Sequence, residues 1–414
     1  MQDKSVIAER PAHIPPQAVY DFDMFRDPGL IVNPHDRVKE LLRDAPEVFW
    51  TPHNGGHWLI VSHAANFEAS RDPSRFSSVI TTEEDSMAFM TALGDNARRI
   101  PAPFPIGLDP PMHEKYRAPL QKVFAPKVIM ALKKDIEQLA DQLVLAVADK
   151  GRCEFIKDIS EPLPVIVFLR MLGMPVDRMQ EFRAIIHEFF APPVGPLDMA
   201  RRIWKVIDAM KDTMLARREQ PQDDIISLLW QTEIDGRPMT YEDMENYGLV
   251  LFTAGLDTVV NGMAHGARHL ALNPDLQRQL REKPSLIVEA AEEILRRYTF
   301  TVPPRVVAQD QEFFGCPMKK GESVSLFLPG ADLDERAFKN AGEFDLGRED
   351  KVHIAFGAGP HRCLGSHLAR VELQVLYDRL LARLPEFRMD PEQPPRFHGG
   401  PVIGFDHLHL LWDA

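Results

Sequence analysis

Apolar residues recur at steps of three and four from about residue 122 to 300, the spacing that gathers them on one face of a helix. "KVIMALKKDIEQLADQLVLAVADKG" ends on Gly151, a residue type that stops helices by taking a left-handed conformation. "PLPVIVFLRMLGMP" and "PLDMARRIWKVIDAMKDTMLARREQ" repeat the pattern, and a further helical segment runs from about Thr240 to Leu272. Strand signals are short and lie nearer the ends: "HWLIVS" at 57 to 62, "ESVSLFL" at 322 to 328 and "HLHLLW" at 407 to 412. The pattern predicts a mainly α protein with a smaller, segregated β part. Strand and helix do not alternate regularly, so a doubly wound nucleotide-binding sheet is not expected. The sequence shows no low-complexity linker and no internal repeat, and 414 residues permit one large domain or two or three.

Composition narrows the class. Runs such as "GLVLFTAGL" fall short of the roughly 18 apolar residues that span a bilayer, and "MQDKSVIAER" is charged where a signal peptide would be apolar. The expectation is a cytoplasmic protein with no membrane partner. A balance of 61 acidic against 48 basic residues, net -13, repels nucleic acid in general. Cys153, Cys316 and Cys363 form no CxxC pair, which excludes a disulfide framework and a cysteine-rich zinc site. A chemically special cysteine must therefore work alone.

"FGAGPHRCLG", residues 356 to 365, surrounds one of them with glycines. Its "GAGPHR" begins like a dinucleotide fingerprint, but Arg362 stands where the third glycine belongs and no strand–helix unit surrounds it. After Cys363, "LGSHLARVELQVLYDRLLARL" has apolar residues at helical spacing, a helix of about 18 residues. The cysteine thus sits at a helix N-terminus, where unsatisfied amides and the helix dipole favour a thiolate and the glycines let amides approach. An isolated cysteine is ordinarily a small buried apolar residue, but the loop, His361 and Arg362 argue against that here. A nucleophile or a metal ligand both remain open.

Phe356, Gly359, His361, Cys363 and Gly365 match F-x-x-G-x-[HR]-x-C-x-G, and by this the chain resembles the cytochrome P-450 monooxygenases. The resemblance implies a single domain over residues 1–414, with a triangular, helix-rich fold and haem b buried between a long central helix and the cysteine loop. It makes Cys363 the metal ligand, packs Phe356 beneath the porphyrin with Gly357 and Gly365 in the same loop, and brings His361 to a propionate. In "EEILRR", Glu293 and Arg296 stand three apart on one helix face, resembling the family's structural E-x-x-R pair. "AGLDTVVNG" places a glycine and an acid inside an apolar helix, each costing up to about 1 kcal/mol against alanine. It resembles the oxygen-activation motif, in which Ala254 and Gly255 allow close approach to haem and Asp257 and Thr258 deliver protons. His113 and Arg117, four apart in "LDPPMHEKYR", and Arg305 in "TVPPRVV" resemble the propionate-binding groups.

Within the family the likeness is greatest to the camphor 5-monooxygenase group. That group places a substrate-binding tyrosine shortly before D-P-P, whereas "RIPAPFPIGLDPP" contains none. The resemblance therefore implies a more apolar pocket for a small terpenoid or norisoprenoid, with Ile100, Phe104, Val250, Thr253, Thr301, Val302 and Val402 as candidate walls. The expected reaction inserts one atom of O2 into a C–H or C=C bond. With no flavin or nicotinamide motif present, electrons are expected from an iron-sulfur ferredoxin and its reductase, docking at Arg348, Lys351 and Arg362. A peroxide-driven haem-thiolate enzyme and a haem-based sensor are the alternatives; neither needs the Asp257–Thr258 pair.

Overall fold

The computed structural model describes residues 6–80, 90–91, 94, 98–191 and 196–413, so Met1 to Ser5 of the charged N-terminal stretch lie outside the described residues. Two compact units divide the chain. One comprises Met1–Ile80, Glu137–Ser160 and Asn261–Ala414, and the other Thr81–Ile136 and Glu161–Val260. Among the described residues no helix is long and apolar enough to cross a membrane.

The first unit is built on a five-stranded sheet in the order Val48–Thr51, His57–Ile60, Ser323–Leu326, Pro304–Val307, Phe76–Ser77. His57–Ile60 pairs in parallel with Ser323–Leu326, Trp58 opposite Val324; the other neighbours are antiparallel. Successive side chains point to opposite faces of a strand, and here both faces are covered. Val48, Trp50, Trp58, Ile60, Val324 and Leu326 enter one apolar core, while Phe49, Leu59 and Val61 enter another with Phe22, Leu41 and Phe327. This explains why "HWLIV" reads as an unbroken apolar run. The C-terminal "HLHLLW" supplies His409–Trp412, the middle strand between Phe387–Met389 and Arg152–Glu154.

The same unit holds the expected pair. Arg296 grips Glu293 with two bonds, Nε to Oε2 at 2.9 Å and Nη2 to Oε1 at 2.8 Å, and spends its remaining donors on the carbonyls of Asp332, Ala341 and Glu343. Both side chains are buried, so their geometry must satisfy every charge. Arg348 joins them, its Nε 3.0 Å from Glu293 Oε1 and its other nitrogens on the carbonyls of Lys339, Asn340 and Glu343. The expectation that Arg348 offers a docking charge is thereby corrected: it is 7% exposed and committed to the interior. Lys351 and Arg362 are exposed.

In the second unit the predicted helices appear as Pro162–Leu172 and Pro196–Glu219, joined by Met112–Val123, Met179–Phe190, Ile225–Trp230 and Tyr241–Gly255. Tyr241–Gly255 begins on a reciprocal cap in which the Thr240 hydroxyl accepts from the Asp243 amide and the Asp243 carboxylate accepts from the Thr240 amide. The segment expected as one helix from Thr240 to Leu272 is two, Tyr241–Gly255 and Thr258–Leu272, interrupted at Leu256 and Asp257. The helix after Cys363 spans Ser366–Arg383 and Pro126–Ala148 forms as expected, with Gly151 at φ 66° beyond it.

Candidate functional site

Cys363 lies two residues before Gly365, the residue that caps the Ser366–Arg383 helix. Its amide donates to the Phe356 carbonyl at 2.9 Å, which closes the glycine loop on itself. Two glycines in the loop take left-handed conformations, Gly357 at φ 72° and Gly359 at φ 71°. Gly359 is required twice over, since a Cβ there would also lie 2.5 Å from the Ser70 carbonyl oxygen. At Gly365 a Cβ would stand 3.8 Å from the Cys363 sulfur.

Of the three cysteines Cys363 alone is exposed. Burial pushes the Cys153 thiol far above its ordinary range and the Cys316 thiol up to about 11. Cys316 also spends its proton on the Val48 carbonyl at 3.3 Å. Both stay neutral and apolar in behaviour, in contrast to the exposed Cys363. Gly357 has open space where a side chain would stand. One exposed thiol in a glycine loop, with a phenylalanine carbonyl holding its amide, fits axial ligation of haem b as the resemblance implies it. Arg305 is buried in strand Pro304–Val307, where its Nη1 donates to the Pro304 carbonyl at 2.7 Å, and His361 is half-buried.

The second unit carries the remaining expected residues. His113 is buried and Arg117 half-buried on Met112–Val123, one turn apart as predicted. Thr258 opens its helix, and its hydroxyl donates at 3.2 Å to the Ala254 carbonyl, which an unbroken helix would reserve for the amide of residue 258. Gly255 has a reason the sequence did not reveal: a Cβ there would fall 2.1 Å from the Phe168 ring of Pro162–Leu172. Ala254 is exposed and Asp257 half-buried.

Asp257 belongs to a charged cluster with no sequence signal. Arg183, on Met179–Phe190, is held down to about 10 by burial, with the Asp257 charge opposing that fall. Arg183 also forms an ion pair with Glu161 and bonds His187 at 2.6 Å. Burial first and Arg183 second lower the pKa of His187, and Asp257 counteracts them. Arg183 thus interacts with two carboxylates, Asp257 electrostatically and Glu161 as an ion pair. Generic charges on helices distant in sequence gave no pattern by which to find them.

The seven nominated wall residues divide between the units. In the first, Thr301 and Val402 meet in an antiparallel bridge, while Val302 donates its amide to Pro401 and packs its side chain in the Phe22 core. In the second, the Phe104 ring lies 4.8 Å from that of Tyr116, and the Thr253 hydroxyl is taken by the Leu249 carbonyl at 2.7 Å. Ile100 and Val250 are half-buried. Tyr116 itself donates to Asp243 at 3.3 Å and accepts from Arg237.

A family model for cytochrome P450 matches residues 197–405. The chain is 34% identical over 412 residues to the probable cytochrome P450 127A1 of Sinorhizobium fredii, covering 97% of this chain and 96% of that one. It is 28% identical over 391 residues to linalool 8-monooxygenase of Pseudomonas putida, covering 91% and 95%. The crystal structure of CYP101J2 superposes with a TM-score of 0.87 at 32% identity, covering 99% of this chain and all of the other. A likeness of fold and sequence that runs nearly end to end makes the chain a member of the cytochrome P450 family, a monooxygenase whose cofactor is haem b.

Proposed function

We propose that this monooxygenase inserts one atom of O2 into a C–H or C=C bond of a small apolar terpenoid or norisoprenoid, in the cytoplasm, with Cys363 as the iron ligand. The observation that carries the ligand assignment is the exposed Cys363 thiol at the start of Ser366–Arg383, its amide held by Phe356. Haem b, when bound, supplies the redox chemistry that activates dioxygen, and a thiolate ligand favours O–O cleavage. His113, Arg117, Arg305 and His361 hold the propionates. The chain's own part in the chemistry is proton handling: Asp257 takes protons from the solvent side and the Thr258 hydroxyl presents them. Arg183, whose charge interacts with that of Asp257, flanks this route.

The substrate reading rests on the pocket segment. Phe104 stands in the stretch where the camphor group has its tyrosine, and linalool 8-monooxygenase, a relative at 28% identity, carries a terpenoid alcohol in its name. Electrons come from an iron-sulfur ferredoxin and its reductase, docking at Lys351 and Arg362. A screen of terpenoid ketones, norisoprenoids and simple aromatics for a low-to-high spin shift tests the substrate. Turnover with a ferredoxin system tests the rest: product stoichiometric with reductant supports the reading, and peroxide-only turnover or none would replace it with the peroxygenase or the sensor.

A further inference from the structure

Behind the cysteine loop lies an ion cluster that the mechanism above leaves unused. Arg370, on Ser366–Arg383, places its guanidinium carbon 4.6 Å from the centroid of the Phe356 ring, within cation–π range. Glu292, the residue before the E-x-x-R glutamate, clamps that guanidinium through two bonds, Nε to Oε1 at 2.5 Å and Nη2 to Oε2 at 3.0 Å. The fork fixes the plane of Arg370 as a single bond would not. His353 completes the clamp: its Nδ1 accepts the Ala355 amide at 3.2 Å, which leaves the proton on Nε2, 3.2 Å from Glu292 Oε2. Burial works against the Glu292 charge, but His353 and Arg370 outweigh it and hold the carboxyl at about 2. The chain of contacts then continues to the sulfur's own residue, because the Phe356 carbonyl accepts the Cys363 amide at 2.9 Å.

The partners of this ion pair are 21% and 23% exposed, so water screens part of its attraction. Its geometry is better spent on orientation. We propose that Arg370 is a positioning residue for the Cys363 loop: clamped by Glu292 and His353, it fixes the Phe356 ring and sets the charge behind the ligand. The proposal rests on Cys363 being the iron ligand. A charge pair set behind the ligand predicts opposite effects from its two members, whereas simple loss of packing predicts effects of one sign.

The test is the ferric–ferrous midpoint potential and the ferrous carbonyl spectrum of the holoenzyme, for the parent, Arg370→Gln, Arg370→Lys and Glu292→Gln. The expected result is a thiolate-type carbonyl band in all four. Arg370→Gln leaves Glu292 uncompensated and favours the ferric state about tenfold, 59 mV for one electron. Glu292→Gln shifts the equilibrium the opposite way, and Arg370→Lys, which keeps the charge and loses the fork, shifts it less than Arg370→Gln. Shifts of the same sign in Arg370→Gln and Glu292→Gln, or no shift in either, would overturn the proposal, as would loss of the band in either variant. A parent protein without the thiolate band would instead overturn the ligand assignment, and that result is visible before any substitution is made.

Discussion

The Tyr377 hydroxyl donates to the Gly262 carbonyl at 3.0 Å and occupies the space where Gly266 lacks a side chain. Tyr377 comes from the helix that follows the cysteine, so this contact locks Ser366–Arg383 against the middle of Thr258–Leu272. A Cβ on Gly266 would lie 1.9 Å from that oxygen. Alanine would gain about 1 kcal/mol of helix propensity, but displacing a fully buried tyrosine costs about 1–3 kcal/mol through overpacking. Gly266→Ala is therefore expected to be destabilising, read as a lower denaturation midpoint at unchanged slope.

Glu293 answers two buried guanidiniums at once, Arg296 and Arg348. Glu293→Gln is expected to cost about 3–5 kcal/mol by leaving buried charge unpaired. Arg348→Ala should cost less, because Arg296 still satisfies the carboxylate. Denaturant titrations of the two variants check the order; equal losses would contradict it.

Stability should respond to pH in two opposed ways. Burial lowers His265 to about 3 and His269 to about 4, and holds His35 well below its ordinary range. The unfolded chain therefore binds more protons below about pH 6.5, and stability falls as pH drops from there toward 4, by roughly 1.4 kcal/mol per pH unit for each histidine. Glu372 has the opposite sign: burial raises it to about 8, so the native state keeps a proton the unfolded chain has released, and stability falls as pH rises from about 4.5 to 8. His265→Phe, placed among Phe300, Phe397 and Phe405, should flatten the acid limb. Glu372→Gln should flatten the alkaline one. Unfolding free energies from pH 4 to 9 decide both.

Asp257→Asn should reduce the rate of product formation by about 10²-fold or more if the carboxylate supplies protons. Thr258→Ala should instead let oxygen be consumed while product per electron falls. Coupled turnover, with oxygen, reductant and product measured together, separates the two; unchanged yield per electron in Thr258→Ala would remove its hydroxyl from the path.

Charge reversal at Lys351 and Arg362 should slow the second electron transfer at low salt and matter less as salt rises. The same reversal at Arg348 should damage folding instead, because that side chain answers Glu293. Stopped-flow reduction at two ionic strengths, beside a thermal melt, distinguishes a docking charge from an interior one.

The sequence was informative where chemistry is local. Helical spacing located Ser366–Arg383 and Pro162–Leu172, and the strand patterns at His57 and His409 became strands of two separate sheets. Cys363 stood out as a candidate because glycines, a cation and a helix start coincide within ten positions. Arg348 misled because an arginine near that loop looks like surface until the fold turns it onto Glu293. The break at Leu256 and Asp257 was signalled only by an expensive glycine and acid, a reason to expect compensation but not an interruption. Arg183 beside Asp257 and Arg370 over Phe356 carried no signal, since contacts between elements depend on packing and leave no periodicity.

The contact between Gly359 and the Ser70 carbonyl has a bearing on affinity. A binding loop that must be immobilised when its partner arrives loses part of the interaction energy to ordering. Here a second backbone already braces the loop from behind, so that entropy is surrendered when the protein folds. Substituting Gly359 would thus weaken cofactor retention chiefly by forcing the loop off its brace, and a faster loss of haem to an acceptor protein would report it.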